Sequence, residues 1–94
     1  MIEKWEGPVE YWLVTTGPDT DPGINGGIMK RMMNQATVNT VIVPSADKFL
    51  ERVTRAGGKV VAPKMPIPGA GYQTYCKDPE GNLFGIHQTD MSVE

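Results

Sequence analysis

The stretch GYQTYCKDPEGNLFGIHQTD, residues 71–90, decides the fold of this chain. Polar and apolar residues alternate over 71–77 and again over 83–88, as in half-buried β-strands. Between these runs, Asp78-Pro79-Glu80-Gly81 has the composition of a tight turn, because proline presets φ and glycine tolerates the closing conformation. Two alternating runs joined by such a turn predict a β-hairpin.

Size and composition limit what kind of protein this can be. With 94 residues the chain is long enough for one domain with a modest hydrophobic core. The formal net charge is −2, so the sequence lacks the excess of basic residues that is typical of nucleic-acid-binding proteins, and we expect no nucleic-acid partner. No apolar run has the length of a membrane span and no signal-peptide pattern is present, so we expect no membrane partner. A single cysteine fits the reducing cytoplasm, which is where we expect the protein.

Upstream of the hairpin, β-branched, aromatic and alternating runs predict further strands. These strands are Ile2–Trp5, Val9–Thr16, Ile28–Met33, Val38–Val43 and Lys59–Ala62. The segments 17–27 and 63–69 are rich in glycine and proline, and we expect both to be loops.

One helix is predicted between the strands that begin at Val38 and Lys59. Ser45 has the character of an N-cap, Asp47 suits the first turn, and Gly57 lies at the expected stop position. Apolar residues recur at helical spacing and form one stripe that must pack on a sheet. The stripe consists of Ala46, Phe49, Leu50, Val53 and Ala56.

Several of these segments together resemble a known family. VPSADKFLERV, AGGKVV, PIPGAGY and DPEGNLFGIHQ, within residues 38–88, are similar to the second βαβββ module of the vicinal oxygen chelate superfamily. That superfamily includes glyoxalase I (lactoylglutathione lyase), bleomycin-resistance proteins and extradiol dioxygenases. GINGGIMKR resembles the last strand of the first module in glyoxalase-like members.

The resemblance implies an α+β fold whose mixed sheet forms a cup. It implies a single glyoxalase-like domain over residues 1–94, in which 38–90 form a complete second βαβββ module. Residues 1–33 would be a partial first module made of strands, lacking the opening strand and helix.

The resemblance also bears on metal. Members that use metal bind it through His and Glu side chains from the first and last strands of each module. The first-strand positions of the second module fall near Val38–Thr40, where no such side chain is present, and Gly85 occupies the last-strand position, two residues before His87. We therefore expect no divalent metal, and no other cofactor, in this chain.

Candidate site residues follow from the alternation in the last strand. Phe84 and Ile86 are expected to pack beneath the helix, which leaves His87 on the cup side. His87 is a candidate general acid–base, and the alternative is a partly exposed strand histidine without a chemical role. Cys76 is either a nucleophile activated by His87 or a structural cysteine.

Three further residues are candidates for ligand binding on the cup side. They are Tyr75, Met29 and Met32. Methionine adapts to irregular apolar ligands, and the alternative for both methionines is ordinary core filling.

Three functions remain open at this point. The chain could be a glyoxalase-related lyase or isomerase, a non-catalytic module that binds a small organic molecule, or a structural remnant that only dimerises. We also expect a homodimer. Without an opening strand and helix, the strands of the first half would have an unpaired edge. They would also expose an apolar face that includes Trp12 or Tyr11 and Val14, and a second copy could cover both.

Overall fold

A computed structural model describes residues 1–7, 10–31 and 35–93. The chain divides into two compact units, Met1–Ala36 and Thr37–Glu94. In the part of the chain that is described, no helix is long and apolar enough to cross a membrane.

The first unit is a three-stranded antiparallel sheet in the order β1-β2-β3. Its strands are β1 (Ile2–Lys4), β2 (Tyr11–Val14) and β3 (Gly26–Met29). Trp12 in the central strand lies between Lys4 and Ile28 and shares a face with Val14, whereas Tyr11 lies on the opposite face.

Several strand boundaries in this unit differ from the sequence-based prediction: β1 ends at Lys4, β2 begins at Tyr11, and β3 ends at Met29. The strand predicted to run to Thr16 ends at Val14, because the side-chain oxygen of Asn25 accepts the Thr16 N–H at 3.1 Å in place of a backbone carbonyl. The strand predicted to begin at Ile28 begins two residues earlier, at Gly26. Residues 32–33 of that prediction lie outside the described residues.

The second unit has a four-stranded mixed sheet in the order β4-β7-β6-β5, with one helix. Its elements are β4 (Asn39–Ile42), α1 (Ala46–Arg55), β5 (Lys59–Ile67), β6 (Gly71–Lys77) and β7 (Leu83–Thr89). β4 and β7 are parallel, whereas the other neighbours are antiparallel. The expected α+β class with a mixed sheet is confirmed, and the chain order of this unit is β-α-β-β-β.

The predicted hairpin is confirmed, with β6 and β7 paired from Lys77–Leu83 to Gly71–Thr89. In its turn, the Gly81 N–H donates to the Asp78 carbonyl at 2.9 Å, and Gly81 has a φ of +88°. The Asp78 carboxylate accepts hydrogen bonds from the backbone and side chain of Asn82, which hold the pKa of Asp78 below its usual range.

The helix ends are confirmed as well. The Ser45 hydroxyl accepts the Lys48 N–H at 3.3 Å at the N-terminus, and Gly57 follows the last turn with a φ of +94°. The core lies between α1 and the sheet, where partly buried side chains of the helix stripe and β7 pack around a buried centre. This centre consists of Val43, Ala46, Cys76 and Ile86, and Phe49, Leu50, Val53 and Phe84 pack against it.

The prediction of a loop over residues 63–69 is wrong, because β5 continues to Ile67 and includes Pro63 and Pro66. β5 is an edge strand that pairs with β6 alone among the described strands, and its register shifts twice between Val60 and Met65. Proline is tolerated at such an edge, where a backbone N–H can point away from the ladder. The prolines therefore limit pairing on one side of β5 without ending the strand.

Candidate functional site

The four-stranded sheet has two different faces. One face packs on α1: Ile86 and Cys76 are buried there, and the Gln88 side-chain oxygen accepts the Ala46 N–H at 2.9 Å. The side chains that alternate with these point to the other face, on which no described element of this unit packs. We call it the open face. It includes Thr40, Ile42, Met65, Gln73, Tyr75, Leu83, Gly85 and His87, and, near the hairpin turn, the exposed Lys77 and Lys59.

His87 lies half-buried on the open face with both ring nitrogens engaged. Its Nδ1 is 3.0 Å from the Gln73 side-chain oxygen, and its Nε2 is 3.2 Å from the Ala70 carbonyl oxygen. A carbonyl only accepts, so Nε2 carries a hydrogen; the Gln73 amide can present either its oxygen or its NH₂ group to Nδ1. His87 can exchange a proton with a ligand only after one of these two hydrogen bonds breaks.

Gly85 forms a small polar centre next to this histidine. A Cβ at Gly85 would lie 2.6 Å from the Thr40 hydroxyl oxygen, 2.8 Å from the Gln73 side-chain nitrogen and 3.3 Å from a ring carbon of Tyr75. The side chains of Thr40 on β4 and of Gln73 and Tyr75 on β6 therefore surround the position of the missing Cβ. They place a hydroxyl and an amide beside an aromatic ring. These groups can donate and accept hydrogen bonds at neutral charge.

Apolar side chains surround the polar centre. Ile42 is 72% exposed and Met65 is 38% exposed, and Leu83 is partly buried on the same face. Sites for small organic molecules combine mostly apolar walls with a few polar groups, and the open face has this composition.

The structure brings two of the four expected site residues to one surface. Tyr75 and His87 both lie on the open face, where Tyr75 pairs with Gly85, two residues before His87. Met29 lies on β3 in the first unit, and Met32 lies outside the described residues.

The residues at the facing positions of β4 and β7 do not fit a metal ion. The parallel pairing of β4 and β7 places Thr40 opposite Gly85, and Ile42 opposite His87. One hydroxyl, one histidine and an absent side chain do not make a ligand set for a catalytic divalent metal, which needs several nitrogen or carboxylate donors. Over residues 1–7, 10–31 and 35–93, no group of three or more His, Cys, Asp or Glu is placed to hold a metal.

We therefore predict that the purified chain carries no stoichiometric Zn²⁺, Ni²⁺ or Fe²⁺ after dialysis. Gly85→Glu should restore at most weak binding, because it supplies one carboxylate in a position already crowded by Thr40 and Gln73. Elemental analysis of both proteins checks this, and a value near one metal per wild-type chain would contradict it.

Cys76 is not placed to act with His87. It is fully buried on the α1 face of β6, opposite Phe84, whereas His87 is on the other face. Burial raises the pKa of the Cys76 thiol, which disfavours the reactive thiolate. This arrangement supports the structural interpretation of the cysteine.

A surface depression of about 420 Å³ lies along the outer side of α1. Three of its five lining residues carry a charge, and two of these form the exposed Glu51–Arg55 pair at 3.7 Å. The lining residues are Asp47, Leu50, Glu51, Thr54 and Arg55. We call it the helix groove.

Sequence reasoning missed three residues that build the site: Gln73, Thr40 and Ala70. Gln73 could have been found by counting residues outward from the hairpin turn, since that register pairs it with His87. Thr40 could have been found from a parallel pairing of β4 and β7. The Ala70 carbonyl depends on a loop conformation, for which the sequence has no comparable signal.

The comparisons with known proteins give no assignment: no family model matches this chain, and no curated protein matches it.

Proposed function

We propose that this protein is a glyoxalase-related member of the vicinal oxygen chelate superfamily that binds a small, partly apolar organic molecule on its open face. It binds this molecule without metal-dependent turnover. The observation that carries the proposal is the state of His87, whose two ring nitrogens are held by Gln73 and Ala70.

Support for the family comes from the order of elements in the second unit. The order β4-α1-β5-β6-β7 is that of a βαβββ module, and its first and last strands are neighbours. These are the two strands that supply the metal ligands in metal-using relatives. The resemblance of residues 38–88 therefore agrees with the local architecture.

Binding is favoured over lyase chemistry by the side chains on those two strands. Thr40 and Gly85 supply neither of the expected ligands, and His87 has no carboxylate partner among its hydrogen bonds. The groups that remain can orient a ligand by neutral hydrogen bonds and hold its apolar part against Tyr75, Met65 and Ile42. A lyase would need further ligands from a second chain.

A lactoylglutathione lyase assay tests this choice. We expect no turnover above the buffer rate, with or without added Zn²⁺ or Ni²⁺. Turnover that requires added metal and is lost in His87→Ala would contradict the binding proposal and favour the lyase.

We further propose that the protein is cytoplasmic and acts as a homodimer. An apolar face of the first unit supports association, because Trp12 and Val14 lie on the same side of the sheet as the exposed Ile2 and Ile28. This is the surface that the sequence indicated for the dimer.

A further inference from the structure

The side-chain amide of Gln73 on the open face has one end in a hydrogen bond and one end without. The first end lies 3.0 Å from His87 Nδ1. The other end lies 2.8 Å from the place that a Cβ at Gly85 would take, and the Thr40 hydroxyl oxygen lies 2.6 Å from the same place. This second end has no hydrogen-bond partner in the part of the chain that the structure describes. It therefore belongs to the polar centre and is available to a ligand.

The hydrogen bonds of His87 decide which end of the amide is the donor. Its Nε2 lies 3.2 Å from the Ala70 carbonyl oxygen, which can only accept, so a neutral ring carries its hydrogen on Nε2. Nδ1 then has a lone pair and needs a donor, and an amide oxygen at that place would face it unfavourably. Turning the amide by 180° keeps the atom positions and exchanges its oxygen with its NH₂ group. The NH₂ group of Gln73 is the end that satisfies Nδ1.

A neutral ring fits the surroundings of His87. Its cross-strand neighbours, Gln73 on β6 and Ile42 on β4, are uncharged. Among the described residues, no carboxylate accepts a hydrogen bond from the ring. An imidazolium would be half-buried here without an ion pair, and the neutral ring avoids that desolvation cost.

We propose that His87 orients the Gln73 amide with its oxygen toward the polar centre, and that the ligand presents an uncharged hydrogen-bond donor to this oxygen. The donor is a hydroxyl group or an amide N–H. His87 is then a positioning residue, which acts through Gln73 and sets the polarity of the site. The nature of the ligand group rests on the proposed function, whereas the orientation of the amide is a property of the free protein.

The charges of the sheet favour an uncharged donor over a cationic one. None of the four strands β4, β5, β6 and β7 contains Asp or Glu. The open face also includes Lys59 and Lys77, which pair across β5 and β6. A ligand cation would find no carboxylate on these strands and would be repelled by the lysines.

Benzyl alcohol and benzyl methyl ether are matched probes, because only the alcohol can donate a hydrogen bond. Chemical-shift titration of the wild-type chain gives both affinities. The alcohol should bind about fivefold more tightly, the ratio expected for one net hydrogen bond. Gln73→Met removes the accepting oxygen and keeps a side chain of similar length, so the ratio should fall to about one.

Two further variants separate positioning from mere presence of the amide. His87→Phe removes the group that orients Gln73, so the ratio should also fall there, although the amide is still present. Gln88→Met is the matched control, because it removes the same type of side chain from the helix side of the sheet. It should keep the wild-type ratio.

Nitrogen NMR of the His87 ring near neutral pH tests the orientation without any ligand. We expect a hydrogen on Nε2, none on Nδ1, and a coupling from the Gln73 side-chain N–H to Nδ1 across the hydrogen bond. A hydrogen on Nδ1, or a ratio that persists in Gln73→Met, would overturn the proposal. Equal affinities for the two probes on the open face would overturn it and leave the proposed function intact. Shifts of both probes confined to the helix groove would overturn both.

Discussion

Gly71→Ala should destabilise the second unit by about 4 kcal/mol, a large part of the stability of a small domain. Gly71 is buried at the start of β6 with a φ of +133°, a conformation that side chains rarely adopt. A Cβ there would overlap the Gln88 carbonyl oxygen and lie 2.7 Å from the Asp90 backbone nitrogen. These are backbone atoms of the neighbouring strand end, which cannot move aside as a flexible side chain can.

Urea unfolding, followed by the helical circular-dichroism signal of α1, measures this loss. Gly69→Ala is the matched control, because Gly69 also has a positive φ of +74° but nothing lies within 4 Å of its added Cβ. It should cost only about 1 kcal/mol, the conformational part of the effect. Equal losses in the two variants would show that the close approach at Gln88 is not what requires glycine.

Ile86→Ala should cost about 3 kcal/mol by leaving a cavity between α1 and the sheet. Ile86 is fully buried in the centre of β7, where it belongs to the core with Ala46 and Cys76. The same residue lies between Gly85 and His87, so its side chain holds β7 on the helix while the open face is formed by its neighbours.

The same unfolding measurement applies, with Val61→Ala as a control on the exposed part of β5. Val61 is 46% exposed, and its truncation should change the unfolding free energy by less than about 1 kcal/mol. A loss that small for Ile86→Ala would mean that the core is centred elsewhere.

The elements that the sequence predicts well are those with local chemistry. The hairpin follows from two alternating runs and the turn at Asp78–Gly81, and the helix follows from Ser45, the apolar stripe and Gly57. Alternation in β7 also correctly predicted that Phe84 and Ile86 face the helix.

The prediction failed where pairing partners decide the outcome. Pro63 and Pro66 indicate a loop when taken alone, yet both fit in β5 because only one of its sides pairs in the described sheet. The early start of β3 at Gly26 similarly depends on pairing with Val14, which outweighs the weak strand preference of glycine.

The candidate site was predictable to a similar degree. The face of His87 follows from the period of the strand, and its neighbour Gln73 follows from the hairpin register. Its contact with Ala70 does not, because the loop that carries this carbonyl is held by the Gly69 N–H bonding to the Val93 carbonyl at 2.8 Å. Such a contact between distant parts of the chain leaves no pattern in the sequence.

The central claim is that the open face, and not the helix groove, binds a small organic molecule. Chemical-shift mapping with a panel of aromatic and thioether compounds tests it most directly. Tyr75→Ala should weaken binding of a compound from the panel about tenfold, as expected for loss of an aromatic contact. Leu50→Ala, in the helix groove, is the matched control and should leave the affinity unchanged.

In the mapping itself, the account predicts shifts concentrated on Gln73, Tyr75 and His87. Shifts concentrated instead on Thr54 and Arg55 of the helix groove, or an affinity lost in Leu50→Ala and kept in Tyr75→Ala, would contradict it.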